Sequence, residues 1–152
     1  MDIQTQIFAG DLDTRKSTTG YLFMLNGGPI SWASQKQTCV ALSTTEAEFM
    51  AACEAAKNLL WLKQFFKEIG ECHNCTTLCM DNQSAIKLIY NPVYHKKTKH
   101  IDVKYNFIRD NVIQALINIK NVQSSEQLAD IFTKALIAVK FENIRDQILG
   151  LL

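Results

Sequence analysis

Three carboxylates that lie far apart in the sequence occupy positions where a folded α/β chain could bring them together. Glu48 lies within the segment STTEAEFMAACEAA, Asp81 follows the apolar run LCM, and Asp130 lies within EQLADIFTK. Acids that cluster without basic partners repel one another unless a cation lies between them. Ligand sets made only of oxygen favour Mg²⁺ or Mn²⁺ over zinc, so a divalent-cation site is the chemistry that these residues could support.

Each of the three acids also has a plain structural explanation. Glu48 could be a solvated helix residue, and Asp81 could cap the helix that follows it by accepting backbone N–H bonds. Asp130 could be a first-turn acid that is favourable to the helix dipole. The residue types leave both explanations open, so the elements that carry the acids have to decide between them.

The hydrophobic pattern predicts an α/β chain in which strands come first and helical crossovers later. Ser43 or Thr44 is expected to cap the longest helix, and a hairpin is expected to turn at residues 27–29. The early strands should pair antiparallel and the later ones parallel, in a mixed sheet with helices on its faces and a ligand crevice at the strand ends. The predicted strands cover 3–8, 21–26, 30–35, 77–81 and 115–122, and the predicted helices cover 45–69, 83–90, 101–114, 124–136 and 141–151.

The composition is that of an ordinary globular chain. Its 152 residues suit a single domain, and the 47% apolar share is enough for one core. The net charge of +1 excludes global basicity, so nucleic-acid binding would have to come from a local patch. Because no apolar run approaches the roughly 20 residues of a membrane span and no signal-peptide pattern is present, we expect an intracellular protein without a membrane partner.

The five cysteines do not indicate a disulfide framework, because their number is odd and two of them lie in predicted elements. Cys72 and Cys75, with His73 between them, resemble half of a zinc site. No matching Cys/His pair follows at a finger-like distance, and Cys79 falls in a predicted strand. We therefore expect free thiols here and no zinc.

A local basic patch is present in the segment YHKKTKHIDVKYNFIR, residues 94–109. Lysine and arginine side chains that neutralise phosphates give salt-sensitive binding, and interleaved tyrosines could stack on a sugar or base. A solvated loop and helix start would explain the same charges equally well. Trp32 and Trp61 are predicted to be core or packing residues and not base platforms.

Four segments carry a resemblance to a known family: DTRKSTTGYLFMLNGGPISWASQKQTCVALSTTEAEFMA, CMDNQSAI, KTKHIDVKYNFIRD and EQLADIFTKAL. In this order and spacing, from about Ala9 to Leu149, the chain resembles the ribonuclease H domain of copia-type retrotransposon polyproteins. The resemblance implies a ribonuclease H-like α/β fold whose five-stranded mixed sheet has three antiparallel strands followed by parallel ones. It also implies one domain over 1–152, with an atypical first strand at 1–8 and a C-terminal helix at 139–152.

The resemblance further implies a site of four carboxylates that binds two Mg²⁺ or Mn²⁺ ions and cleaves the RNA strand of an RNA–DNA hybrid. Glu48, Asp81 and Asp130 match the second, third and fourth of these acids. Two ions roughly 3.5–4 Å apart can activate a water on one side of a phosphorus and stabilise the leaving oxygen on the other. The resemblance also favours substrate contact by part of the basic patch; the predicted nucleic-acid-binding residues are Lys97, Lys99, His100, Lys104, Arg15 and Lys16.

The first carboxylate of the family pattern is missing, because Thr5 stands at its position when the chain is aligned back from Ala9 without a gap. A neutral hydroxyl supplies neither the charge nor the bridging oxygens. Asp2 lies three residues back, about 10 Å away along a strand and on its opposite face, and Asp11 lies beyond a glycine in the predicted turn. Neither acid is expected to replace the missing one.

The expected function is thus a retrotransposon-derived ribonuclease H domain with impaired cleavage, and a non-catalytic nucleic-acid-binding module or an inactive remnant is the alternative. A replaced first exon and a host-adopted copy would both explain the lost acid. The expected partners are an RNA–DNA hybrid or duplex and the reverse transcriptase domain of the parent polyprotein. We expect a monomer, either cytoplasmic in a virus-like particle or nuclear.

Overall fold

The computed structural model describes residues 2–9, 16–71, 76–90 and 99–151, with side chains described except at 2–9, 99–102 and 105. Several residues discussed above lie outside the described residues, namely Asp11, Arg15, Cys72, His73, Cys75 and Lys97.

Within the described ranges, five strands and four α-helices follow one another in the order that the hydrophobic pattern predicts. A short 3-10 helix, Leu128–Phe132, lies between the last strand and the last α-helix. The strands are β1 (Asp2–Ala9), β2 (Ser17–Leu25), β3 (Gly28–Lys36), β4 (Thr76–Met80) and β5 (Ile117–Asn121), and the helices are α1 (Thr44–Glu68), α2 (Gln83–Tyr90), α3 (Lys99–Ile113) and α4 (Ala138–Ile148).

The strands form one sheet in the order β3-β2-β1-β4-β5. The first three are antiparallel neighbours, because β1 pairs with β2 and β2 with β3 in hairpin fashion. The last two run parallel to β1, which pairs with β4, and β4 pairs with β5. The first strand of the chain is therefore the central strand of the sheet.

Helix α1 begins where the capping pattern predicts it. Ser43 has extended backbone, and its Oγ accepts a hydrogen bond from the Glu46 N–H at 3.1 Å. Glu46 Oε2 in turn accepts from the Leu42 N–H at 2.8 Å, so donors at the helix start are satisfied by side chains. At the other end, Gly70 adopts a φ of +87°, which suits a residue without a Cβ.

Alternating side chains of the sheet build two hydrophobic clusters, one on each face. On one face, Phe23 and Leu78 are fully buried with Phe49 of α1. On the other face, Leu22 packs with Ile144 of α4 and with the 3-10 helix. Neighbouring residues of β2 point to opposite faces, so one strand supplies both clusters. Burying a side chain of this size contributes about 1.5–3 kcal/mol.

Three local expectations are wrong. The hairpin turns at Asn26 and Gly27, both with positive φ, and not at 27–29, because a two-residue loop of this type matches the twist of its strands. A core position is wrong for Trp32 and Trp61, since they are 60% and 63% exposed, but Trp61 is a packing residue, because it stacks on Phe65 with ring centroids 5.9 Å apart.

The helix expected over 124–136 is the third incorrect expectation, because only the five residues of the 3-10 helix are helical. Thr133 uses both its backbone N–H and its Oγ1 to donate to the Asp130 carbonyl. A side chain that competes for a backbone carbonyl in this way favours a tight turn over a continuing helix.

A membrane-crossing helix, which needs a long and apolar segment, is not found in the part of the chain that the structure describes.

Candidate functional site

Asp81 lies directly after β4 and is not the cap of α2. The capping group is the neighbouring side chain, since Asn82 Oδ1 accepts from the Ala85 N–H at 3.0 Å. Asp81 Oδ2 instead accepts a hydrogen bond from Ser124 Oγ at 2.8 Å, across the turn that follows β5. The backbone here is tied to β5 as well, because Asn121 Nδ2 donates to the Met80 carbonyl at 3.1 Å. The Asp81 carboxylate is therefore held in place by Ser124 and is not used to cap α2.

Glu48 lies in the second turn of α1 and is only 4% exposed. Its helical neighbours Ala47, Ala51 and Ala52 are buried too, and their small size lets α1 pack closely on β1 and β2. Glu48 Oε1 has no hydrogen-bond partner among the described residues. A buried carboxylate oxygen without a partner costs free energy, so this residue is not explained as a solvated helix position.

The pKa of Glu48 is raised from 4.5 to about 8. Burial is the largest cause, followed by the negative charges of Asp81 and then of Asp130, while the Lys134 ammonium acts in the opposite direction. Because both other acids act on Glu48 electrostatically, the fold brings the three carboxylates into one neighbourhood.

Asp130 reaches this neighbourhood because the 3-10 helix lies very close to β2. A Cβ added at Gly20 would lie 2.5 Å from Thr133 Cγ2, 3.0 Å from Phe132 Cβ and 3.2 Å from the Ala129 carbonyl oxygen. Only a residue without a side chain allows the 3-10 helix to lie at this depth. Gly20 thus sets the position of Asp130 relative to the sheet.

The Asp130 carboxylate is fully buried and is contacted by two lysines. Lys134 Nζ lies 2.9 Å from Oδ1, in an ion pair between residues four apart. Lys140, from the first turn of α4, donates a hydrogen bond to Oδ2.

Thr5, the residue at the position of the missing acid, lies in the central strand. It pairs with Tyr21 of β2, and the preceding residue Gln4 pairs with Cys79 of β4, two residues before Asp81. The register places Thr5 near the end of β4 that carries Asp81. Asp2 pairs with Thr77 near the start of β4, about 13 Å from Asp81 along the strand, which supports the expectation that Asp2 cannot replace the missing acid.

The carboxylate oxygens of these acids suit a hard divalent cation, but both oxygens of Asp130 are already in contact with lysines. Carboxylate oxygens are the ligands that Mg²⁺ and Mn²⁺ prefer, and the unpaired Glu48 Oε1 is available as one. However, no group of three His, Cys, Asp or Glu side chains in the described chain could hold a metal ion as placed. The two ammonium groups of Lys134 and Lys140 both contact Asp130, so the charge of this one carboxylate is already compensated by the chain itself.

The predicted nucleic-acid-binding residues are only partly described. Lys99 and His100 form the first turn of α3, where the backbone but not the side chains is described. Lys104 Nζ lies 3.5 Å from Glu54 Oε1, and Lys16 is half-buried just before β2.

Lys104 shares a cleft of about 300 Å³ with two lysines that the sequence reasoning missed. These are Lys36 at the end of β3 and Lys57 on α1, and Glu54 Oε2 pairs with Lys57 at 2.5 Å. They are far apart in the sequence, so no charge run reveals them.

Lys140 was also missed, since nothing in its local sequence links it to an acid ten residues away. The i, i+4 spacing of Asp130 and Lys134 was a usable signal for the first of the two ion pairs.

Solved structures with the same architecture are ribonucleases H. One is the LC11 ribonuclease H1 in complex with an RNA/DNA hybrid, which has 15% sequence identity and a TM-score of 0.61, with 87% of this chain and 92% of that chain covered. The likeness shows that the chain has a ribonuclease H-like fold, and this part of the prediction is confirmed.

Sequence relatives identify the origin of the domain, although no protein-family model matches the chain. The Pol polyprotein of transposon TNT 1-94 from Nicotiana tabacum is 49% identical over 88% of the chain, and that of transposon RE2 from Arabidopsis thaliana is 38% identical over 93%. The chain therefore belongs to the ribonuclease H-like domains of copia-type retrotransposon Pol polyproteins, as the sequence motifs indicate. It spans about 10% of the length of each of these relatives.

Proposed function

We propose that this chain is a retrotransposon ribonuclease H domain whose cleavage of RNA in RNA–DNA hybrids is impaired. The observation that carries the proposal is the buried, unpaired carboxylate of Glu48 beside the charges of Asp81 and Asp130. A fold gains no stability from such a group, so its presence is best explained by a cation-binding role.

Glu48, Asp81 and Asp130 are the residues that would hold Mg²⁺ or Mn²⁺. A pair of bound ions would activate a water and stabilise the leaving oxygen of the phosphodiester. The chain's own contribution is to position the acids: Ser124 orients Asp81, and Gly20 leaves room for the segment that carries Asp130. Burial of Glu48 excludes water from one side of the group.

Impairment follows from Thr5, which supplies no negative charge in the central strand. With Thr5 the site has three acids instead of four beside the same two lysines, and the loss of one negative charge lowers its affinity for divalent ions. The proposed substrate is an RNA–DNA hybrid, supported by the hybrid bound to the LC11 ribonuclease H1. In the full polyprotein the reverse transcriptase domain would supply this hybrid.

Cleavage of a hybrid labelled on its RNA strand, measured with Mg²⁺ and with Mn²⁺, tests the proposal. We expect little or no cleavage by the unmodified chain and measurable cleavage by Thr5→Asp, which Glu48→Gln added to Thr5→Asp should abolish. Thr77→Asp is the matched control, because it makes the same substitution in β4 at the end that is far from Asp81, and it should restore no cleavage. Robust cleavage by the unmodified chain would overturn the impairment, and no gain from Thr5→Asp would overturn the site.

A second candidate function is a non-catalytic module that binds hybrid or duplex. The lysine cleft between β3, α1 and α3 favours it, because Lys36, Lys57 and Lys104 line it together, and Glu54 pairs with both Lys57 and Lys104. Binding through phosphates weakens steeply between about 50 and 200 mM salt, so a titration of hybrid at both ends of this range tests it. Steep salt dependence that Lys104→Gln reduces, with no cleavage by Thr5→Asp, would favour the module.

A further inference from the structure

Lys140 occupies a position that its own helix disfavours. It lies in the first turn of α4, where the helix dipole repels a cation, and the described residues give Ile137 no side-chain capping bond and the first turn no acid. Local helix formation therefore does not explain a lysine here. Its long side chain reaches Asp130, which belongs to a different element.

Asp130 needs compensation because its carboxylate is fully buried. Lys134 contacts Oδ1 and Lys140 contacts Oδ2, so each carboxylate oxygen has an ammonium group beside it. A buried charge that loses its partner is strongly destabilising. The two lysines differ in one respect: Lys134 belongs to the segment of Asp130 itself, whereas Lys140 ties that segment to α4.

We propose that Lys140 is an internal counter-cation which holds the Asp130 carboxylate in the absence of metal and which a divalent ion must displace to use that carboxylate as a ligand. This inference rests on the proposed function, since it assigns Asp130 to the ion site. It adds that Lys140 of α4 and the divalent ion compete for the Asp130 carboxylate. Ion binding would then break the ion pair between Lys140 of α4 and Asp130 of the 3-10 helix.

The counter-cation role can be tested without any metal. Lys140→Gln should lower the melting temperature of the unmodified chain in a chelator-containing buffer, but it should change little in an Asp130→Asn background, where no charge remains to compensate. Lys67→Gln, near the far end of α1, is the matched control and should change little in either background. Equal effects of Lys140→Gln in the two backgrounds would overturn the inference, whatever the chain cleaves.

The competition is tested by titrating Mn²⁺ alone and measuring the free ion by electron paramagnetic resonance, in the Thr5→Asp background that restores the fourth acid. Adding Lys140→Gln should tighten Mn²⁺ binding at least about tenfold, since the displaced ammonium no longer competes. Equal affinity with and without Lys140→Gln would overturn the inference but leave the proposed function intact. Failure of every variant to bind Mn²⁺ would overturn both the ion site and the competition.

Discussion

The environment of Glu48 makes its protonation state part of the stability of the domain. In the folded chain the group keeps its proton up to a pKa of about 8, mainly because it is buried and next because Asp81 and Asp130 repel its charge. In the unfolded chain the same group ionises near its ordinary pKa of 4.5. Between these values the folded state binds more protons than the unfolded state, so stability falls as pH rises.

The pH dependence can be measured by comparing the chain with Glu48→Gln in urea at about pH 5 and about pH 8, without divalent ions. Glutamine keeps the shape of the side chain without its charge. The free energy of unfolding of the variant should therefore rise relative to that of the parent as pH rises, by roughly a few kcal/mol. A parent-to-variant difference that stays constant over this range would contradict the pKa shift.

At the scale of single residues, the sequence could identify acids but not their partners. The alternative role of Asp81 as a helix cap is wrong because Asn82, one residue later, performs it. Both residues are good capping types, and only the backbone direction at the end of β4 selects between them. Lys140 could not be predicted, because its contact with Asp130 depends on how α4 turns back onto the sheet.

At the scale of elements, the site depends on how closely a short helix packs on a strand. The 3-10 helix lies on β2 with Gly20 beneath it, and Thr133 and Phe132 fill the space that a Cβ would need. Because the backbone Ala129 carbonyl is also close, a side chain here cannot be accommodated by a rotamer change alone.

Gly20→Ala should therefore destabilise the domain by about 1–3 kcal/mol, the usual cost of overpacking, and should displace Asp130 from its neighbours. Urea denaturation measures the first effect. Gly28→Ala is the matched control, since a Cβ at Gly28 would meet only the Leu25 carbonyl, at 3.8 Å, and it should cost much less. Similar losses from the two substitutions would show that the close packing at Gly20 is not the cause.

The element order was predictable because apolar periodicity and capping residues extend over many positions. The 25 residues of α1 carry a capping serine at one end and Gly70 just past the other, and the predicted limits differ from the observed ones by one residue. The 3-10 helix could not be predicted, because its apolar pattern is that of an α-helix, whereas the observed helix ends where Thr133 donates twice to the Asp130 carbonyl.

At the scale of the whole molecule, α4 completes the second hydrophobic cluster. Ile144 and Ile148 are buried against Leu22 of β2 and Leu128 of the 3-10 helix. The same helix carries Lys140, so core packing and the electrostatics of Asp130 depend on one element.

Ile144→Ala should cost about 2–5 kcal/mol, because it removes buried methyl groups from this cluster and leaves a cavity. Thermal unfolding measures the loss. Val139→Ala, on the same helix but at a side chain that is 76% exposed rather than 2%, is the matched control and should be almost neutral. Because alanine is the better helix former, a comparable loss at Val139 would mean that burial in the second hydrophobic cluster is not the cause of the loss at Ile144.

The central position of β1 has a consequence for how the chain emerges from the ribosome. Asp2 pairs with Met24 of β2 on one side and with Thr77 of β4 on the other. Thr77 is synthesised roughly 75 residues after Asp2. At about 5–20 residues per second, one border of the earliest strand stays unpaired for several seconds of synthesis. The unpaired N–H and C=O groups on this side of β1 can pair with another nascent chain. Slow translation before Thr77 should therefore reduce the yield of soluble protein.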